Sequence, residues 1–134
     1  MADSVSTQVI SESAVHYEAK FTNISDGTGE SAVVQVDVSA LTPACAEADI
    51  LWMAYSTDGM AVRVLFDADT DTVGWLIPAN QTGMIDFQKT FKGALRNNSS
   101  TGKTGDVRFT TVGHTSGDTY SIILHCKKRV TAEI

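Results

Sequence analysis

Asp67, Asp69 and Asp71 alternate within one turn, and carboxylates at that spacing open an EF-hand calcium loop. The rest of such a loop is missing. Its sixth position, which needs glycine, is Thr72, and its twelfth, which needs a bidentate glutamate, is Pro78. What remains is a solvated acidic turn that ends a strand, with a looser Ca²⁺ site as the alternative. Gly102-Lys103-Thr104 copies the end of a phosphate-binding loop, but the first glycine of that motif is replaced by Asn97. The residues that follow, Gly105-Asp106-Val107-Arg108-Phe109, read as a strand, whereas a phosphate cradle needs amides opening into a helix N-terminus. His16, His114 and His125 are scattered along the chain, and a zinc site needs convergent ligands. His125 and Cys126 are neighbours in a strand pattern and therefore point to opposite faces. No Gly-x-Ser-x-Gly elbow occurs, and no nucleophile stands beside an evident base. The expectation is a non-enzymatic chain with no catalytic, cofactor-binding or metal-ligating residues.

Trp52, Tyr55 and Trp75 could stack against a sugar. Against this, Trp52 shares an alternation with Ile50 and Ala54, and Trp75 shares one with Val73 and Ile77. Both tryptophans are therefore expected in the core. Cys45 and Cys126 allow one disulfide without establishing it. Cys126 follows Ile122 and Leu124 at every second position and is expected to face the core. Met1-Ala2-Asp3-Ser4 lacks the basic region and apolar core of a secretory leader. The expected thiols are accordingly reduced, in a protein folded in the cytoplasm. The sequons at Asn23, Asn80 and Asn98 then read as chance matches.

The elements that must position these residues are strands. Val15, Tyr17, Ala19 and Phe21 alternate with polar residues, which is the pattern of a half-buried strand. Ala32, Val34, Val36 and Val38 form the apolar face of a second strand, with Gln35 and Asp37 outward. Ile50 to Ser56 is nearly all apolar and is expected to be covered on both faces. Asp58-Gly59 signals a hairpin, because that turn needs positive φ. Further strands are expected at Val62 to Phe66, Val73 to Ile77, Met84 to Gln88, Val107 to Thr111 and Thr119 to Lys127. No sustained helical period occurs. These segments predict an all-β, single-domain antiparallel β-sandwich of about eight strands, jelly-roll-like in its strand count. Residues 1–13 show no period and read as a flexible N-terminal arm, with the sandwich over 14–134. The polar stretch from Lys92 to Lys103 is long for a connection and reads as a loop with a task.

Composition sets bounds on function. The 134 residues carry a net charge of −6, with 43% hydrophobic and 19% charged residues. An acidic chain is a poor nucleic-acid binder, because duplex affinity comes from Lys and Arg neutralising phosphates. No apolar run approaches the ~18 residues that read as a membrane-spanning helix. A domain this long can bury roughly two-thirds of its unfolded surface and needs no metal or disulfide to fold.

Four segments add a resemblance. FTNISDGTGESAVVQVDVSAL (Phe21 to Leu41), GMAVRVLFDA (Gly59 to Ala68), GMIDF (Gly83 to Phe87) and TGKTGDVRFTTVGHTSGDTYSIILHCKK (Thr101 to Lys128) resemble small virion structural proteins of tailed bacteriophages. Within that group the chain looks most like a capsid decoration, or cement, protein. The resemblance implies a small β-sandwich on the outer surface of the capsid, bound to the major capsid protein and to copies of itself as a dimer or trimer. It brings no catalytic residues. It leaves open a tail or baseplate location, and the aromatic residues leave open a carbohydrate-binding module. Apolar groups inside otherwise polar segments make Val5, Val9 and Ile10 of the arm, and Phe91, Leu95, Arg96 and Asn97 of the loop, the expected partner contacts.

Overall fold

The computed structural model describes residues 4–27, 30–41, 44–68, 71–91, 94–95, 106–113 and 115–129. Nine strands among them form two antiparallel sheets. In chain order they are β1 (Ser4–Glu12), β2 (His16–Ile24), β3 (Val33–Val36), β4 (Glu47–Asp58), β5 (Ala61–Phe66), β6 (Thr72–Ile77), β7 (Thr82–Asp86), β8 (Val107–Val112) and β9 (Thr119–Arg129). One sheet has the order β1-β2-β9-β4-β7 and the other β3-β8-β5-β6. Strands β2 to β9 pair as one long hairpin would: β2 with β9, β3 with β8, β4 with β7 and β5 with β6. That hairpin is rolled so that alternate pairs fall in opposite sheets. The all-β sandwich expected from the alternation is the observed architecture.

The core lies between the sheets. Tyr17, Ala19 and Phe21 of β2, Met53 of β4, and Tyr120, Ile122, Leu124 and Cys126 of β9 face Val62, Val64 and Phe66 of β5 and Val107 and Phe109 of β8. Phe109 meets Phe21 and Tyr120 edge-on, at centroid distances of 5.5 and 5.7 Å. Such contacts are each worth ~0.5–1.5 kcal/mol beyond burial. Between the sheets, near β3, sits buried Glu30. Its carboxylate accepts from Asn23 Nδ2 at 3.1 Å, from Gln35 Nε2 at 2.8 Å and from the Tyr120 hydroxyl. Its amide donates to Thr111 Oγ1 at 2.8 Å. Three strands are thereby tied to one side chain and a fourth, β8, to the same residue's amide.

Several expectations are corrected. Residues 4–12 of the expected arm form an edge strand paired with β2 from Ser4 opposite Ile24 to Glu12 opposite Tyr17. The backbone ladder makes this strand, not a buried face. In β3 a register shift between Val34 and Val36 breaks the expected alternation, so Val36 is buried while Val34 is 41% exposed. A 3₁₀ turn at Val38–Ala40, capped by Asp37 accepting from the Ser39 amide, ends that segment. The strand expected to run to Gln88 stops at Asp86, whose carboxylate accepts from the Lys89 amide at 2.7 Å and starts the helix α1 (Phe87–Phe91).

Asp58-Gly59 makes the expected positive-φ turn, with Gly59 at φ +86°, yet it joins β4 to β5 in the opposite sheet. A Cβ at Gly59 would lie 2.2 Å from the Asp118 carboxylate, which itself accepts from the Thr115 amide at 2.8 Å. Gly59→Ala is therefore expected to lower stability by ~1–3 kcal/mol through a disfavoured φ and a displaced Asp118. Urea unfolding measures this, and an unchanged midpoint would refute the account.

Candidate interaction surfaces

Two β-bulges decide which side chains reach the surface. At Leu51 of β4 the pairing with β9 shifts, so that Ile50 lies opposite Cys126 and Trp52 opposite His125. Ile50 stays in the core, and Trp52 turns to the outer face of the five-stranded sheet. At Gly74 of β6 the pairing with β5 shifts in the same way, and a Cβ there would lie 2.8 Å from the Phe66 ring. Trp75 stays inward and packs edge-on against Phe87 at 5.3 Å. Val73 turns outward and is 52% exposed.

The outer face of the four-stranded sheet is thereby rich in apolar groups. One row across it runs Val73, Leu65, Arg108, Val34, and the next runs Leu76, Arg63, Thr110. Val112 and Ala61 follow as a third row. Leu76 is 59% exposed, and Arg63 stands exposed between it and Thr110. Arg108 is held by Asp67 at 3.1 Å and by Asp71 at 3.6 Å. The acidic turn is thus tied to a guanidinium across the sheet, not merely solvated. Asp69 lies outside the described residues, which hold no group of three potential metal ligands.

A second exposed apolar group sits on β1. Val5 lies opposite Asn23, Thr7 opposite Phe21 and Val9 opposite Ala19, so all three share the inner side of their sheet. Gln35 of β3 reaches Tyr120 of β9 and Phe109 of β8 packs on Phe21 of β2, while β1 lies beyond β2 at the sheet edge with both faces exposed. The five-stranded sheet overhangs there. Val5 and Val9 remain 57% and 51% exposed, and Ile10, at the bulge between Val9 and Ser11, 49%.

No family model matches the chain, and no curated protein or solved structure matches it. The surface therefore has to be read from its own chemistry.

The outer face of the five-stranded sheet carries exposed Ile24 and Met84, at 57% and 64%, but they are separated by polar residues and do not form rows. His125 lies stacked between His16, at 5.2 Å, and Trp52, at 5.4 Å and 4°. Its Nδ1 is 3.8 Å from Glu18. The fold brings together two histidines that sequence separates, while His114 lies outside the described residues. The alternative of an aromatic platform is not assembled: Trp52 lies on the outer face with one ring face against His125, while Tyr55 and Trp75 pack against the core from inside. Trp52 is also the residue for which the core expectation is corrected.

Of the expected loop contacts, Leu95 exchanges two backbone hydrogen bonds with Ile50, at 2.8 and 2.9 Å, and is half-buried against the core. Phe91 ends α1. Arg96, Asn97 and the Gly102-Lys103-Thr104 segment lie outside the described residues. Sequence reasoning missed Leu76 and Val73. Leu76 was legible, as an apolar residue at an outward position between Trp75 and Ile77.

The two cysteines are free thiols. Burial, with help from Asp49 and Cys45, pushes Cys126 up to about 12, and burial also raises Cys45. Both stay protonated near neutrality, and the thiolate is the nucleophile. Iodoacetamide at pH 7.5 is expected to leave Cys126 unmodified in the folded chain and to label it once urea unfolds the protein. Mass spectrometry distinguishes the two, and rapid labelling of the folded protein would contradict the packing described.

Proposed function

We propose that this chain is a non-enzymatic structural protein of a tailed-phage particle, a decoration protein that binds the assembled capsid through its major capsid protein. The resemblance carried by Phe21–Leu41, Gly59–Ala68, Gly83–Phe87 and Thr101–Lys128 supports this reading. So does the rolled hairpin of β2 to β9, which we read as a jelly roll.

The observation that carries the proposal is the outward apolar set Val73, Leu76, Val34 and Val112 on one sheet face. Apolar side chains along several outward rows mark a surface that is covered in use. Arg63 within that set gives the contact a polar anchor suited to an acidic group on the shell. Val5, Val9 and Ile10 of β1 supply a second contact on the flank. Leu95 is committed to the fold and contributes by holding the segment that leads to Arg96 and Asn97.

A protein that binds the shell and not its unassembled subunits stabilises the particle by mass action. Many weak copies act together at high effective concentration. The net charge of −6 keeps such a protein off packaged nucleic acid and fits the outer surface. The test is co-sedimentation of the purified chain with phage heads that lack it, beside unassembled capsid subunits. Retention by heads alone is expected. Indifference to heads, or turnover of a small molecule, would overturn the proposal, and density on the tail of an imaged particle would move the protein to the tail or baseplate.

A further inference from the structure

We infer that the free edge of β1 pairs antiparallel with β1 of a second copy of this chain, about a two-fold axis through Thr7. The four sheet edges are not equivalent. β3 has four residues and a register shift, β6 is bulged at Gly74, and β7 has five residues and runs into α1. β1 has nine residues, its one bulge falls at Ile10 and leaves Ser4–Val9 in regular register, and Ser4–Glu12 contains no lysine, arginine or proline. Those are the residues with which natural edges block pairing. About half of its backbone amides and carbonyls point away from β2, as in any edge strand of an antiparallel ladder.

The occupant follows from the order of the residues. Val5-Ser6-Thr7-Gln8-Val9 has the same pattern read in either direction from Thr7. A two-fold axis there sets Val5 opposite Val9 of the second copy, Thr7 opposite Thr7 and Ser6 opposite Gln8. Valine–valine and threonine–threonine are favourable cross-strand pairs. The axis stands perpendicular to the sheet, so inner sides stay on one face and the valines of both overhangs meet. No charge lies within the paired stretch. Glu12 lies beyond it and is held by Lys128 Nζ at 2.9 Å. Two acidic domains thus approach through a neutral strip. The result is one continuous sheet through both copies. A strand-edge interface of this size falls below ~1,200 Å², the class of weak contacts, so pairing is concentration-dependent in solution.

Sedimentation equilibrium of the full chain over a wide concentration range tests this. The mass is expected to rise from 14.3 kDa toward twice that value. Thr7→Lys sets two like charges face to face, and pairing is expected to weaken by about tenfold or more. Thr7 is exposed, and an unchanged urea midpoint confirms that the variant is folded. In a Cys45→Ser background, Thr7→Cys is expected to form a disulfide between copies under mild oxidation, much faster than Ser121→Cys on the outer face of β9. A single-copy mass at every concentration, a Thr7→Lys curve like the parent's, or equal cross-linking at positions 7 and 121 would each overturn the inference. It uses a strand that the capsid reading also uses, but the outcomes separate. A chain that pairs yet ignores heads refutes only the capsid reading, and one that attaches yet stays single refutes only the pairing.

Discussion

Arg129→Met is expected to lower the unfolding free energy by about 3–5 kcal/mol, the usual result of stranding a buried charge. Arg129 lies opposite Glu47 across the β4–β9 ladder, and Asp49 follows two residues on along the same face. Glu47 and Asp49 are 2% and 1% exposed. The guanidinium contacts the Glu47 carboxylate, and its Nε donates to Asp49 Oδ2 at 2.6 Å. Methionine keeps much of the packing and removes the charge, leaving two buried carboxylates without the guanidinium that compensates them. A domain of this size has roughly 5–15 kcal/mol in all, so the loss consumes a large share. Urea unfolding of Arg129→Met gives the single cost. Adding Glu47→Gln and Asp49→Asn removes the stranded charges and should return much of the stability. A single-variant loss under about 1 kcal/mol would show that water reaches the cluster and screens it.

The ends of β4 and β9 are thus held by ion pairing where their middles are held by packing, and only the second kind of information is visible in local sequence. Strands β2 and β9 were legible because each buries one face, so alternation records them. β1 was not, since neither of its faces is covered and its stability comes from the ladder with β2. A bulge adds one residue and reverses every side chain beyond it. Nothing in the composition around Leu51 announces this, and so Trp52 reads as core. Gly74 was a readable clue, because glycine inside a strand marks a bulge or a close approach. It makes Val73 an outward residue where alternation with Trp75 and Ile77 places it inward. Asp58-Gly59 shows the limit of turn chemistry, which fixes a local dihedral angle and not the sheet the next strand joins. The partnership of Arg108 with Asp67 and Asp71 depends on β5 and β8 lying side by side, a contact made by topology alone.

The Gly74 bulge sets the outward face through which attachment is proposed, and it makes the prediction for that face sharp. Val73→Asp combined with Leu76→Asp is expected to reduce binding to phage heads by about 100-fold or more. Fully burying one aliphatic side chain of this size is worth ~1.5–3 kcal/mol, and the variant forfeits two while forcing two carboxylates to lose water. Where copies are joined to one another the loss compounds, because avidity multiplies the affinities of the linked contacts. The fold should be indifferent, since both side chains point to solvent at 52% and 59% exposure. Val5→Asp with Val9→Asp is the informative partner experiment, as it leaves the sheet face intact and alters only the β1 flank. If the face makes the shell contact and β1 the contact between copies, the first variant loses heads at every salt concentration but keeps its self-association. The second then loses self-association and retains a weaker, single-copy attachment. Full occupancy by the Val73/Leu76 variant would remove that face from the interface. The apolar rows would then be ordinary surface, and the attachment would have to run through β1 or the segment beyond Leu95.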